Sequence, residues 1–304
     1  MKQAKHWSQM QEHGIVWGMR FLLQVYLLFG RGVLQLFLYP VVSYYWLLNP
    51  SGRRASRAYL NRASAWVPNL KQQSSHRHFI CFANAMIDKL AAWSGAISLA
   101  NVDYHGRDQL LAELAKGRGV VLLGSHLGNL DVCRVIAYLD PDIRVNVLVH
   151  THHAEKFNQL LNEVSDLSRL RLIQVTDISA ATSMLLNDCI DQGEVVIIAA
   201  DRTPVINRQR VSKAEFLGAE ALFPQGPFIL AALLKCPVYT LFCLKQQGRH
   251  VIYFDHFSNG LKFPRHLREQ ALQQSIQQYA KRLQHYCLKE PLQWFNFFDF
   301  WHYE

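Results

Sequence analysis

Gly119-Val-Val-Leu-Leu-Gly-Ser-His-Leu-Gly-Asn-Leu-Asp131 reads as a strand that runs into a glycine-punctuated turn and then the start of a helix. Its apolar run leaves no polar side, so the strand suits a sheet covered on both faces. Similar runs follow at Val145–Val149, Leu172–Val175, Val195–Ala199, Val238–Phe242 and Val251–Phe254. Helix-length stretches at 129–139, 153–164, 179–191 and 225–235 lie between most of them. This alternation predicts an α/β fold with a mostly parallel central sheet and helices on both faces. The last two runs, joined by the turn Gln246-Gln-Gly-Arg249, are expected to be antiparallel, and a closing helix is expected over Arg265–Leu288. No internal repeat and no Pro/Gly-rich linker divides the chain.

In such sheets ligands bind at the carboxyl ends of the strands, which puts His126 in a privileged position. Asp131 follows it by five residues. That spacing alone means little, since it also occurs at His150/Glu155, His250/Asp255 and His285/Glu290. Only His126 lies at a strand end flanked by Gly124, Ser125 and Gly128, with its acid in the first turn of a helix. The carboxylate could then hold imidazole Nδ1 and leave Nε2 as a general base for a hydroxyl nucleophile. Small neighbours admit an acceptor, and backbone N–H groups at the helix start, around Asn129, could hold a developing oxyanion or a phosphate. The bland alternative is a structural histidine hydrogen-bonded to a nearby acid. Ser125 does not suit a nucleophile: adjacent strand side chains diverge, and no G-x-S-x-G elbow is present.

The leader before the sheet is unusual. Residues 1–20 lack the continuous apolar stretch of a signal peptide. Phe21–Phe29 is apolar apart from Gln24, Gly30-Arg31-Gly32 interrupts it, and nothing from Val33 to Gly52 carries a charge. Pro40 is expected to break this second helix near its middle. Tyr44, Tyr45 and Trp46 suit headgroup level, and Arg53, Arg54, Arg57 and Arg62 follow. With basic residues on both flanks, the segment reads as membrane-associated, entering or lying along one leaflet. Buried core helices of a soluble protein are the alternative. The chain therefore divides into a membrane-associated helical leader over 1–62 and a catalytic domain over 63–304.

Composition agrees. Among 304 residues, 50% are hydrophobic and 18% charged, which excludes a disordered chain. The net charge of +9 suits an anionic partner, either nucleic acid or membrane. Nucleic-acid binding leaves the apolar leader unexplained. The six cysteines form no CxxC pair and most sit in apolar runs, as reduced core residues do. His150-Thr-His-His153 has neither a nearby cysteine nor a spaced acid pair to complete a metal site.

At this point a family resemblance enters. Gly124–Asp131 resembles the H-x4-D block of the lipid A late acyltransferases, the lauroyl/myristoyl branch of lysophospholipid acyltransferases. Asp201-Arg-Thr-Pro204, then Phe216-Leu-Gly-Ala219, then Ala221-Leu-Phe-Pro-Gln-Gly-Pro227 and Leu230-Ala-Ala232 resemble a second block in order and spacing. Lys235-Cys-Pro-Val238 and the start Trp7, Glu12, Gly14 are also similar. Arg202 stands where these enzymes usually carry glutamine, and Thr151–Asn158 replaces their usual Arg/Asn-Pro pair. The ending Gln293-Trp-Phe-Asn-Phe-Phe-Asp-Phe-Trp301 looks more like the subgroup of the aryl polyene pathways, so the acceptor stays open.

The resemblance implies an O-acyltransferase on the cytoplasmic face of an inner membrane. It would move a fatty acyl chain from acyl carrier protein or acyl-CoA to a hydroxyl of a membrane-embedded lipid or glycolipid, with no metal, cofactor or nucleic acid. It implies His126 as base and Asp131 as its partner. Asp201 and Arg202 would position the acceptor or the donor's phosphopantetheine, while Phe216, Gly218, Phe223, Pro224 and Gly226 would shape the acyl-binding side. The rival is a non-catalytic membrane or nucleic-acid binding protein, which has no need of His126 and Asp131.

Overall fold

Seven strands form the central sheet of the computed structural model, which describes residues 15–68, 70, 73–93, 102–130, 132, 143–149, 170–174, 180–203 and 210–301. In chain order the strands are β1 (Val102–His105), β2 (Val120–Gly124), β3 (Val145–Val149), β4 (Leu170–Gln174), β5 (Val195–Ala199), β8 (Val238–Gln246) and β9 (Arg249–Ser258); β6 (Val211–Phe216) and β7 (Ala219–Pro224) form a separate hairpin. The sheet order is β1-β9-β8-β2-β5-β3-β4. All neighbours are parallel except β8 and β9, the expected antiparallel pair.

Alternation along β2 shows why its sequence is apolar throughout. Val121 and Leu123 enter one core with the helices α5 (Ala180–Asp191), α6 (Gly226–Leu234) and α7 (Arg268–Lys289). Val120 and Leu122 enter the other, with Leu34 of α1 (Ile15–Leu48), Ile87 of α3 (Ser75–Trp93) and Leu110 of α4 (Arg107–Leu114). A strand whose two faces are both buried has no polar position to offer.

One feature differs from expectation. Pro40 lies inside α1 without ending it; the break falls at Gly30, whose φ of 76° and ψ of −175° no ordinary helical residue adopts. A lost amide hydrogen bond is tolerable on an exposed helix, whereas a positive φ is not helical at all. The boundary at residue 62 falls within α2 (Pro50–Ser64), and Tyr59, Leu60 and Ala63 of that helix share the core of α5–α7. The helix-length stretches 129–139 and 153–164, together with Cys133, fall largely outside the described residues.

Candidate active site

β2 and β5 pair in parallel with Gly124 opposite Ala199. Each chain then runs two residues beyond its last paired position, one to His126 and the other to Asp201. Adjacent strand ends thus bring together two residues 75 apart in sequence. The Asp201 carboxylate grips His126 twice: the backbone N donates to Oδ2 at 2.8 Å, and ring Nδ1 lies 2.8 Å from Oδ1. Trp294 Nε1 donates to Oδ2 at 3.1 Å. Asp201 is 1% exposed, whereas 35% of the His126 side chain remains open.

Charge assigns the tautomer. Burial alone would push the Asp201 carboxyl up, but His126 and Arg202 together hold it below the usual carboxylate range. An ionised carboxylate only accepts, so Nδ1 carries the proton and Nε2 keeps a free lone pair. Desolvation, helped by the nearby Arg202 cation, lowers the proton affinity of the imidazole against the opposing pull of Asp201. The ring is therefore neutral at pH 7.

The turn after His126 is held from three sides. Gly128 N donates to Gln293 O at 2.7 Å and Asn129 N to Cys243 O at 3.0 Å, while Asn129 Nδ2 reaches Ala85 O on α3 at 3.0 Å. Gly128 has a φ of 71°, and a Cβ there would lie 1.8 Å from Cys243 O. Ser125 is buried, and its Oγ accepts from Leu127 N at 3.2 Å, which turns it inward as a backbone brace. Arg202 is half-buried; its Nη2 points at Phe295 O, 3.5 Å away, and its guanidinium lies 6.0 Å from the Phe298 ring.

The other sequence-predicted residues are placed as follows. Phe216 and Phe223 are fully buried at facing ends of the β6–β7 hairpin, 5.8 Å apart edge to face, and Phe216 packs 5.1 Å from Trp294. They therefore stand one ring away from the indole that supports Asp201. Gly218 forms the hairpin tip with a φ of 74°, Pro224 closes β7, and Gly226 opens α6. Asp131, His150–His153 and residues 204–209 lie outside the described residues. Among the described residues, no group of His, Cys, Asp or Glu has the arrangement of a metal site.

Sequence reasoning missed Trp294 and the partner that positions it. His78 of α3 is buried; its Nε2 lies 3.0 Å from Trp294 O and its Nδ1 3.0 Å from Ser56 Oγ of α2. A carbonyl only accepts, so Nε2 holds the proton and Ser56 donates to Nδ1. The aromatic ending was the available signal, although nothing in it marks one ring over another. Asn296 is also buried, with neither amide atom partnered. A buried amide without partners is costly.

The family model of the bacterial lipid A biosynthesis acyltransferases matches residues 74–302. The matched span includes the whole described sheet, His126, Asp201 and Trp294. No curated protein matches the chain significantly.

Proposed function

This chain belongs to the bacterial lipid A biosynthesis acyltransferase family, and from that premise we propose that it moves a fatty acyl chain from a thioester donor to a hydroxyl of a membrane lipid, with His126 as general base. Acyl transfer to a lipid follows from the family; the donor, the acceptor hydroxyl and the mechanism are our reading. The observation that carries it is the His126–Asp201 pair at neighbouring strand ends, with Nδ1 occupied and Nε2 free.

In this reading Nε2 takes the proton of the acceptor hydroxyl as its oxygen attacks the thioester carbonyl. Asp201 holds the tautomer and stabilises the imidazolium that forms. When the tetrahedral intermediate collapses, the C–S bond breaks and the thiol leaves with the proton from Nε2. No acyl-enzyme is formed. Asp131, which the family resemblance pairs with His126, is proposed as a second carboxylate of the site. Arg202 is proposed to meet the phosphate of a phosphopantetheine donor, which its planar fork suits. Acyl carrier protein is the proposed donor partner, and the cytoplasmic face of an inner membrane the proposed location.

The test is transfer of labelled acyl groups from acyl–carrier protein, and separately from acyl-CoA, to total membrane lipid. A distinct labelled lipid with wild type, reduced about 10²–10⁴-fold in His126→Ala, supports the reading and identifies donor and acceptor. Undiminished transfer by His126→Ala, or a covalent acyl group on Ser125 or a cysteine, rejects the mechanism.

A further inference from the structure

The leader helix is amphipathic in an unusual sense: apart from Leu34, which enters the core, its protein-facing side carries a polar stripe, and a wide apolar stripe faces outward. Arg31, Gln35, Tyr39, Ser43 and Trp46 recur at three- and four-residue spacing and all bond to α3. Arg31 pairs with Asp88. Gln35 Nε2 and Tyr39 OH donate to Asn84 Oδ1 at 2.8 and 3.0 Å. Ser43 Oγ lies 2.9 Å from His76 Nε2, and Trp46 Nε1 donates to Ser75 Oγ at 2.9 Å. On the opposite side Leu36, Phe37, Val41, Tyr44, Leu47 and Leu48 are each at least 58% exposed. An exposed apolar stripe of this extent marks an interaction surface.

Gln24–Leu48 is long and apolar enough to cross a membrane, but its attachments argue for another placement. α3 is itself fastened to the catalytic domain: Asp88 binds Lys245 of β8 at 2.8 Å, and Ala85 O receives Asn129 of the catalytic turn. If Arg31–Leu48 crossed a bilayer, α3 would enter the hydrocarbon with it, and so would Lys245 and the polar turn beyond. Charged and polar groups at that depth are strongly disfavoured. Before the Gly30 break the apolar run Phe21–Phe29 that follows Arg20 is nine residues long, short of the ~20 a crossing needs. A helix lying in the plane of one leaflet meets neither objection.

Charge selects the leaflet. Between His13 and Ile87 the chain carries eight Lys and Arg and no Asp or Glu. Arg54 and Arg57 are exposed on α2, directly after the exposed end of α1. Arg53 is committed to capping that end, bonding Trp46 O and Leu47 O at 2.9 and 2.6 Å.

We infer that the outer face of α1 lies in the plane of a single anionic phospholipid leaflet, with Arg54 and Arg57 at headgroup level, and that α1 does not cross. This deepens the membrane reading above, yet it is measured without acyl transfer and can fail while that reading stands. Full-length protein tagged at both termini would be exposed to protease in intact spheroplasts and in inside-out vesicles. Both tags cut only in the inside-out vesicles is the expected result; an N-terminal tag cut in intact spheroplasts overturns in-plane placement. Flotation with phosphatidylcholine vesicles, with and without phosphatidylglycerol, tests the charge. Wild type should prefer the anionic vesicles, and Arg54→Gln/Arg57→Gln should bind them about 30-fold more weakly. Leu36→Gln/Phe37→Gln should lose binding to both, with circular dichroism verifying that each variant is folded. Equal binding to both vesicle types overturns the anionic leaflet. Binding to neither, with a dimer in sedimentation velocity, assigns the face to a second copy of the chain.

Discussion

At the scale of single residues the site depends on how three groups share the charge of Asp201. His126, lowered by burial and by Arg202, should make kcat/KM fall on the acid side with a midpoint below the ordinary histidine value of about 6.5. Arg202 opposes the imidazolium, so Arg202→Gln should move that acid limb to higher pH. A limb that moves downward or stays in place, measured on the same lipid acceptor, would detach Arg202 from the base. Trp294 makes a different contribution. Trp294→Phe keeps an aromatic ring in the packing but deletes the N–H that holds Oδ2. A lost hydrogen bond to a charged group is worth roughly 1.5–3 kcal/mol, so kcat should fall about 10–100-fold with KM nearly unchanged. A change confined to KM would place the indole at the substrate instead.

At the scale of elements, the turn after β2 is the most constrained piece of backbone near the site. Gly128 combines a positive φ with a carbonyl in the space a Cβ would take. Gly128→Ala should therefore destabilise the fold by on the order of 2–4 kcal/mol and abolish acyl transfer, read by urea denaturation alongside activity. A variant of wild-type stability would show that the turn relaxes freely. The same element shows what sequence could and could not reveal. β2 and β5 are legible because a two-face-buried strand is an unbroken apolar run, and β3, β4, β8 and β9 because apolar residues dominate their centres. β1, Val-Asp-Tyr-His, has a half-exposed face, and β6, Val-Ser-Lys-Ala-Glu-Phe, depends on its partner strand, so neither stands out locally. His126 was readable from its glycines. The acid at its Nδ1 was not, because the neighbour of β2 is decided by the packing of the whole sheet and not by five residues of spacing. Asp201 stands out in the sequence as a candidate for positioning acceptor or donor, and nothing local pairs it with His126.

At the scale of the whole molecule, His78 ties three distant parts of the chain together: Ser56 in the leader, its own helix α3, and the carbonyl of Trp294, whose indole holds Asp201. Burial lowers its pKa to about 4. The unfolded chain binds the proton from about pH 6.5 downward while the folded chain refuses it until about pH 4. Stability from this group is therefore full above the unfolded value and declines as pH falls between the two. Across that window the loss is about 3 kcal/mol, of which about 2 kcal/mol has occurred by pH 5. His126, also lowered, adds to the decline in the same direction. In His78→Gln the amide can still donate to Trp294 O but cannot titrate. The variant should be less stable than wild type at pH 7, yet its unfolding free energy should fall about 2 kcal/mol less between pH 7 and pH 5. Denaturant titrations at the two pH values read this difference directly. Equal slopes would mean that the histidine is already hydrated in the folded protein, and that α2, α3 and the aromatic ending are not joined through a dry contact. A flattened slope in the variant would make this buried ring the place where acid first loosens the leader from the active site.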